Sequence, residues 1–202
     1  MLLFLSLMGC PKDAPPEATA VPVDALSQRP EVPATRVFVP PVTQSFTHGS
    51  GARVLLVEQP GLPLVEVKLI IDAGSEDYPR PGALRLSNTL MLRGAGERDA
   101  NAFAQTLDQQ ALSLSVSTSA EGSVLSLSGA ADKMDLGMEL MADAVLRPRF
   151  DDAELGKLKQ QAKAELDESL ARPQTVASWV GDRLAWGADH PRSQPPIGTA
   201  ES

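Results

Sequence analysis

The residues whose spacing is best suited to chemistry lie in the segment from Gly82 to Gly96, GALRLSNTLMLRGAG. On a helix, positions 85, 88 and 89 are related by i, i+3 and i+4 and therefore share one face. Arg85, Asn88 and Thr89 occupy that face, and apolar residues cover the opposite arc. Imidazole and carboxylate groups at this spacing could bind a metal ion and activate a water molecule. A guanidinium, an amide and a hydroxyl provide neither function, and these side chains can equally be the polar face of an amphipathic helix.

The histidine and cysteine counts limit metal binding elsewhere in the chain. There are two histidines, His48 and His190, and they are too far apart to share a helix. A local zinc motif built from imidazoles is therefore excluded. The single cysteine, Cys10, excludes disulfides within the chain and cysteine-rich zinc sites. We interpret His48 as a surface or turn histidine.

The composition is that of a globular domain with one core. The 202 residues are 43% hydrophobic and 22% charged, which allows one domain with a tail or at most two small ones. The net charge of -8 and an aromatic content of 4% leave no basic stripe or stacking platform. Nucleic acid is therefore excluded as a partner.

Strand-like patterns predict a largely antiparallel sheet. Residues 53–58 and 64–73 are predicted strands, separated by a turn at Gln59-Pro60-Gly61. Leucine and valine alternate with serine over residues 112–117, and a similar pattern resumes over 123–128. The last two segments predict a hairpin with one buried face.

Helical patterns occupy most of the remaining chain. They predict five helices, at about 81–93, 101–110, 131–146, 151–171 and 174–186. Asp99 is the expected cap of the second helix. Met134, Met138 and Met141 recur at helical spacing, and we interpret them as core residues. Hairpins followed by helices indicate an α+β fold, with the sheet packed on a helical layer.

The order of these segments resembles the N-terminal domain of the insulinase and pitrilysin family (M16), which includes the mitochondrial processing peptidases. The resemblance covers residues 45–202 and is carried by six segments in the family's order. They are GARVLLVEQPGLPLVEVKLIIDAGS, LRLSNTLMLRGAGER, ALSLSVSTSAEGSVLSLSG, ADAVLRPRFDDAEL, KQQAKAELDE and WGADHPRSQPPIGTAES. It implies a two-layer sandwich that is C-terminally truncated, because the family's domain continues further and a full subunit is about twice as long.

The resemblance also assigns roles to the polar helix face. In the family, the motif H-x-x-E-H provides two zinc ligands and a general base, and a later glutamate is the third ligand. Arg85, Asn88 and Thr89 then stand at the three motif positions, and Glu165 stands at the position of the later ligand. The family's zinc is not supported by these residues, and an Arg85–Glu165 ion pair could fill the former site. The alternative interpretation of Glu165 is a solvated residue of a charged helix.

Two further interpretations accompany the resemblance. His190, in Asp189-His190-Pro191, matches a structural turn of the family and not a ligand. The family's catalytic chambers are assembled from homologous domains, and bacterial members often pair an active subunit with one that lacks the motif.

The first residues resemble a bacterial lipoprotein signal. Residues 1–9, MLLFLSLMG, form a short apolar run that ends directly before Cys10. In such a signal, the segment through Gly9 is removed and Cys10 receives the lipid. The alternative is an ordinary apolar N-terminus with a buried thiol. Residues 10–42 contain eight prolines and read as a semi-extended tether, followed by the M16-like domain over 43–202. This organisation predicts a lipid-anchored protein of the bacterial cell envelope that faces the periplasm, with the outer membrane as its site.

Three functions follow as hypotheses. The first is a non-catalytic M16 lipoprotein that pairs with an active zinc peptidase homologue and helps to form its peptide-binding chamber. The second is a structural or interaction lipoprotein, or a gene remnant, without a role in proteolysis. The third is an active zinc metalloendopeptidase, which the lack of replacement imidazoles disfavours.

Overall fold

A computed structural model describes residues 39–59, 61–200 and 202. The chain divides into two compact units, with the boundary between Gln59 and Pro60. Residues 1–38, which include the predicted signal, Cys10 and most of the predicted tether, lie outside the described residues. The boundary at 59/60 falls inside the segment 43–202 that the sequence suggests as one domain.

The first unit contains an antiparallel hairpin. Strand β1 (Thr43–Thr47) pairs with β2 (Arg53–Val57), and the intervening turn is closed by the His48 amide, which donates to the Ala52 carbonyl at 2.8 Å. The sequence patterns predict β2 but not β1. All five residues of β1 are exposed, so the strand lacks the alternation of buried and exposed residues that would identify it.

The second unit is built on a three-stranded antiparallel sheet. Its strands are β3 (Leu64–Ile71), β4 (Ser113–Thr118) and β5 (Ser123–Ala130), in the order β3-β5-β4. The predicted hairpin is therefore confirmed as β4–β5. Strands β2 and β3 are both present, but they belong to separate sheets, so the turn at 59–61 does not join a hairpin.

Five helices belong to the second unit. They are α1 (Ala83–Met91), α2 (Ala100–Gln109), α3 (Met134–Leu146), α4 (Asp152–Leu170) and α5 (Pro173–Trp186). Each lies within three residues of its predicted bounds. The cap of α2 is confirmed, because the Asp99 carboxylate accepts a hydrogen bond from the Ala102 amide at 2.8 Å.

The core lies between one face of this sheet and the helices. Leu125 and Leu127 of the central strand β5 are fully buried, and they meet Leu140 of α3 and Phe103 of α2 in one apolar cluster. Gly137 lets α3 approach, since a Cβ atom there would lie 3.1 Å from the Leu127 side chain. The predicted two-layer α+β architecture is confirmed.

The methionine prediction is confirmed only in part. Met141 is buried and Met134 packs against the core, whereas Met138 is 46% exposed. The prediction was wrong for Met138 because helical spacing alone does not fix the width of the buried stripe: Met138 follows Met134 by four positions but lies outside the core cluster.

A buried carboxylate fixes the loop that follows α1. Asp143 of α3 is 6% exposed at its side chain and accepts hydrogen bonds from Arg98 at 3.4 Å and from Arg147. The bond to Asp143 raises the pKa of the Arg147 guanidinium. Gly96 passes against this carboxylate with φ +57°, and a Cβ atom there would lie 2.6 Å from an Asp143 oxygen. The C-terminal end of α1 is thereby tied to α3.

Candidate functional site

Helix α1 carries the polar face predicted from the sequence. Gly82 precedes the helix in a left-handed conformation (φ +77°), and a Cβ atom there would lie 2.4 Å from the Ile197 carbonyl oxygen. Only glycine meets both requirements. Leu90 is buried on the apolar side of the helix, which fixes its rotation. Arg85, Asn88 and Thr89 are therefore held on the opposite side.

Arg85 forms the ion pair with Glu165 that the resemblance suggests. Its Nη2 atom donates to both carboxylate oxygens of Glu165 on α4, at 3.0 and 2.9 Å. The two side chains are 42% and 51% exposed, so water screens the interaction. An ion pair of this exposure contributes up to about 1 kcal/mol. Glu165 therefore forms the predicted ion pair with Arg85 and is also partly solvated, as the alternative interpretation expects.

Asn88 forms the most buried contacts of the face. Its amide nitrogen donates to the Thr118 hydroxyl of β4 and to the Ser123 hydroxyl of β5, both at 2.9 Å. The Ser123 hydroxyl in turn donates to the Ala73 carbonyl at 3.1 Å. Ser123 is 3% exposed. Asn88 is therefore more than a solvated polar residue, because it connects α1 to both strands of the hairpin.

Thr89 makes a local contact within its own helix. Its hydroxyl donates to the Arg85 carbonyl at 2.8 Å, one turn earlier. Threonines in helices commonly form this bond. The simple interpretation of Thr89 as a polar-face residue agrees with this geometry.

The donors on this face do not match the requirements of a zinc site. Zinc in proteins takes imidazole, thiolate and carboxylate ligands, and here a cationic guanidinium occupies the carboxylate of Glu165. The Asn88 amide nitrogen has no basic lone pair, and the Thr89 hydroxyl proton is used within the helix. Within residues 39–59, 61–200 and 202, no group of three or more His, Cys, Asp or Glu side chains could hold a metal ion.

Both histidines have local structural partners. His48 is exposed in the first unit, where its Nδ1 lies 3.0 Å from the Ser50 hydroxyl. His190 caps a 3-10 turn in the second unit by accepting the Arg192 amide at 3.1 Å, and its ring stacks on Trp186 at 5.1 Å between centroids. The interpretations of His48 and His190 as turn residues are confirmed.

A cavity of about 1180 Å³ lies beside α1, and the sequence patterns give no sign of it. Its walls are the segment 75–82, the β4–β5 turn and the chain from 182 onwards, and both Arg85 and Thr118 reach it. Tyr78 and Trp186, which are 42% and 48% exposed, contribute aromatic surface to it. Its volume lies above the range of about 300–1,000 Å³ that is usual for small-molecule pockets.

Arg192 holds two walls of this cavity together. Its guanidinium lies 5.0 Å from the ring centroid of Trp186, pairs with Glu76 and donates to Glu121 at 2.7 Å. The bond to Glu76, followed by that to Glu121, raises the pKa of the Arg192 guanidinium, so its charge is retained. No local sequence signal could reveal this cluster, because its partners lie 116 and 71 residues away along the chain.

This chain belongs to the M16 family of peptidases. The sequence profile of the family described as Insulinase (Peptidase family M16) matches residues 53–183. The resemblance inferred from the sequence is thereby confirmed. A comparison with curated protein sequences gave no match.

Solved structures show the same fold. An M16 peptidase inactive domain from Pseudomonas fluorescens is similar with 29% identity and a TM-score of 0.75, over 79% of this chain and 39% of that one. A protease from Helicobacter pylori shares 19% identity with a TM-score of 0.71, over 80% of this chain and 40% of the other. Pitrilysin shares 22% identity with a TM-score of 0.68, over 80% and 17%. The chain thus spans about two fifths of the first two proteins.

The Arg85–Glu165 contact predicts a measurable coupling. Arg85→Ala and Glu165→Ala, measured singly and together by denaturant unfolding, should show a coupling free energy of about 0.5–1 kcal/mol that decreases in high salt. Arg93→Ala is the matched control, because Arg93 has no ion pair within the described part of the chain. Additive single effects at low salt, or equal coupling between Arg93 and Glu165, would show that the contact does not stabilise the fold.

Proposed function

We propose that this chain is a non-catalytic M16 domain that pairs with an active zinc peptidase homologue and forms part of its peptide-binding chamber. The observation that carries the proposal is the bonding of the α1 face. Arg85 and Asn88, at the positions that the family resemblance assigns to a zinc ligand and the general base, are joined to Glu165, Thr118 and Ser123. A face bonded in this way offers neither a metal-binding group nor a proton acceptor.

Two further observations support the proposal. The similar domain from Pseudomonas fluorescens is described as inactive, and its identity to this chain is 29%. The cavity beside α1 offers exposed aromatic and charged side chains to a peptide, with Arg192 keeping its walls together. In this proposal the domain contacts peptide and leaves hydrolysis to its partner.

We further propose that the protein is a lipid-anchored component of the bacterial cell envelope, facing the periplasm from the outer membrane. The support is the sequence alone: the apolar residues 1–9, Cys10 and the proline-rich residues 10–42. No helix in the described part of the second or first unit is long and apolar enough to span a membrane.

The pairing predicts an effect on the partner's activity. The full chain, co-expressed with an M16 homologue that has an intact H-x-x-E-H motif, should co-purify with it and change its cleavage rates across a panel of peptides. Trp186→Ala should alter that panel because Trp186 lines the cavity. Leu146→Ala, a side chain that is 77% exposed and outside the cavity lining, is the control.

The pairing proposal fails if the partner cleaves every peptide equally well with and without the chain. That result would favour a structural or interaction lipoprotein with no role in proteolysis. Equal effects of Trp186→Ala and Leu146→Ala would reject the cavity as the contributing surface.

The anchor predicts lipid labelling at one residue. The chain expressed from its first codon in a bacterium fed radiolabelled palmitate should incorporate label and sediment with membranes. Cys10→Ser should abolish both, because the thiol is the acceptor of the lipid. Unlabelled wild-type protein, or membrane association that survives Cys10→Ser, would contradict the anchor.

A further inference from the structure

The hydrogen bonds around Asn88 have a fixed direction. Ser123 has one hydroxyl hydrogen, which is donated to the Ala73 carbonyl at 3.1 Å. Towards Asn88 the same hydroxyl can therefore only accept, and the Asn88 amide nitrogen donates to it at 2.9 Å. The second amide hydrogen is directed to Thr118, also at 2.9 Å. Both hydrogens of the Asn88 amide group are thus used.

The direction is enforced by burial. Ser123 is 3% exposed, so water cannot replace a missing partner at its hydroxyl. A carboxylate at position 88 would place an acceptor against an acceptor, with one group left unsatisfied. Thr118 is free to rotate its hydroxyl and could donate to a carboxylate, but Ser123 could do so only by releasing Ala73.

Ala73 leads directly into a wall of the cavity. The next residue, Gly74, donates its amide to the Asp77 carboxylate at 2.8 Å, and the Ser75 amide donates to the Ser119 carbonyl at 2.9 Å. Gly74 packs so closely on the β4–β5 turn that a Cβ atom would lie 1.9 Å from the Ala120 carbonyl oxygen. Residues 75–77 line the cavity. A hydrogen-bonded path therefore runs from Asn88 through Ser123 to this wall.

We infer that position 88 must carry a hydrogen-bond donor, and that Asn88 is a positioning residue for the cavity wall formed by residues 75–77, which Ala73 and Gly74 lead into. The helix face assigned to catalysis by the family resemblance is used here to hold a peptide-binding wall. A general-base carboxylate at position 88 is incompatible with this arrangement. The role of the wall in peptide binding rests on the proposed function, whereas the donor requirement does not.

The test is Asn88→Asp, which changes a donor into an acceptor at nearly constant shape. At pH 7 the substitution should raise the unfolding equilibrium constant about tenfold or more. The Ser123 oxygen opposes the charged form, and the nearest cation, Arg85 on the same helix face, already pairs with Glu165. We therefore expect the pKa of the new carboxyl to lie above its unfolded value of about 3.9. The destabilisation is complete above the folded-state pKa and fades as the pH falls through it, because the protonated group can donate again.

Three companion variants make the result specific. Asn88→Ala should be destabilising to the same extent at every pH. Thr89→Ala, which removes a hydroxyl bonded only within α1, should have little effect. Adding Ser123→Ala to Asn88→Asp should restore part of the lost stability, because the opposing acceptor is removed. The double variant also keeps the test informative if Asn88→Asp alone does not fold at pH 7.

Hydrogen exchange provides the readout for the wall. The amides of Ser75 and Glu76, which bond to the Ser119 and Ala120 carbonyls, should exchange about tenfold faster in Asn88→Asp and at the wild-type rate in Thr89→Ala. The inference is overturned by a pH-independent effect of Asn88→Asp, by additive effects of Asn88→Asp and Ser123→Ala, or by unchanged exchange at Ser75 and Glu76. These measurements use the chain alone, so a failure of partner binding is distinguishable from a failure of the inference.

Discussion

The placement of α1 in the second unit depends on the hydrogen bonds of the Asn88 side-chain amide. Asn88 lies on a helix that is fixed on its apolar side by Leu90, and its two amide hydrogens are taken up by Thr118 and Ser123. An unsatisfied polar group at this depth costs about 1–3 kcal/mol, which is more than the exposed Arg85–Glu165 pair contributes. The half-buried amide therefore links α1 to the hairpin, and the exposed ion pair adds a weaker link to α4.

The contacts of the α1 polar face occur within a fold that this chain shares with its family. Membership of M16 is shown by the match over residues 53–183, and the fold is that of the family's solved domains. At the three positions that the resemblance assigns to the family motif, Arg85, Asn88 and Thr89 each have a protein partner. These three side chains of the helix thus form structural contacts.

Much of the fold could be predicted from the sequence, and the reasons are local. The helices α1 to α5 have strong 3.6-residue periodicity or clear boundaries, such as Asp99 before α2 and Pro173 at the start of α5. Strand β1 was missed because its exposed residues carry no periodic signal. Met138 was assigned to the core wrongly, since spacing does not reveal how far the sheet covers a helix.

Only those residues of the candidate site that correspond to positions of the family motif could be predicted from the sequence. Arg85, Asn88, Thr89 and Glu165 could be placed by motif, and the Arg85–Glu165 contact follows from that placement. The partners of Asn88 lie 30 and 35 residues away, and strand register is needed to find them. The cluster of Arg192 with Glu76 and Trp186 has the same limitation, because tertiary packing alone brings these residues together.

A zinc titration of the purified full chain by calorimetry tests most directly whether the polar face of α1 binds a metal ion. Metal content and thermal unfolding are measured before and after chelation. If the α1 face binds no zinc, the chain should contain no stoichiometric zinc, show no binding isotherm in the micromolar range, and unfold at the same temperature with and without chelator. One zinc ion per chain, bound tightly and removed by chelator with a loss of peptide cleavage, would contradict it.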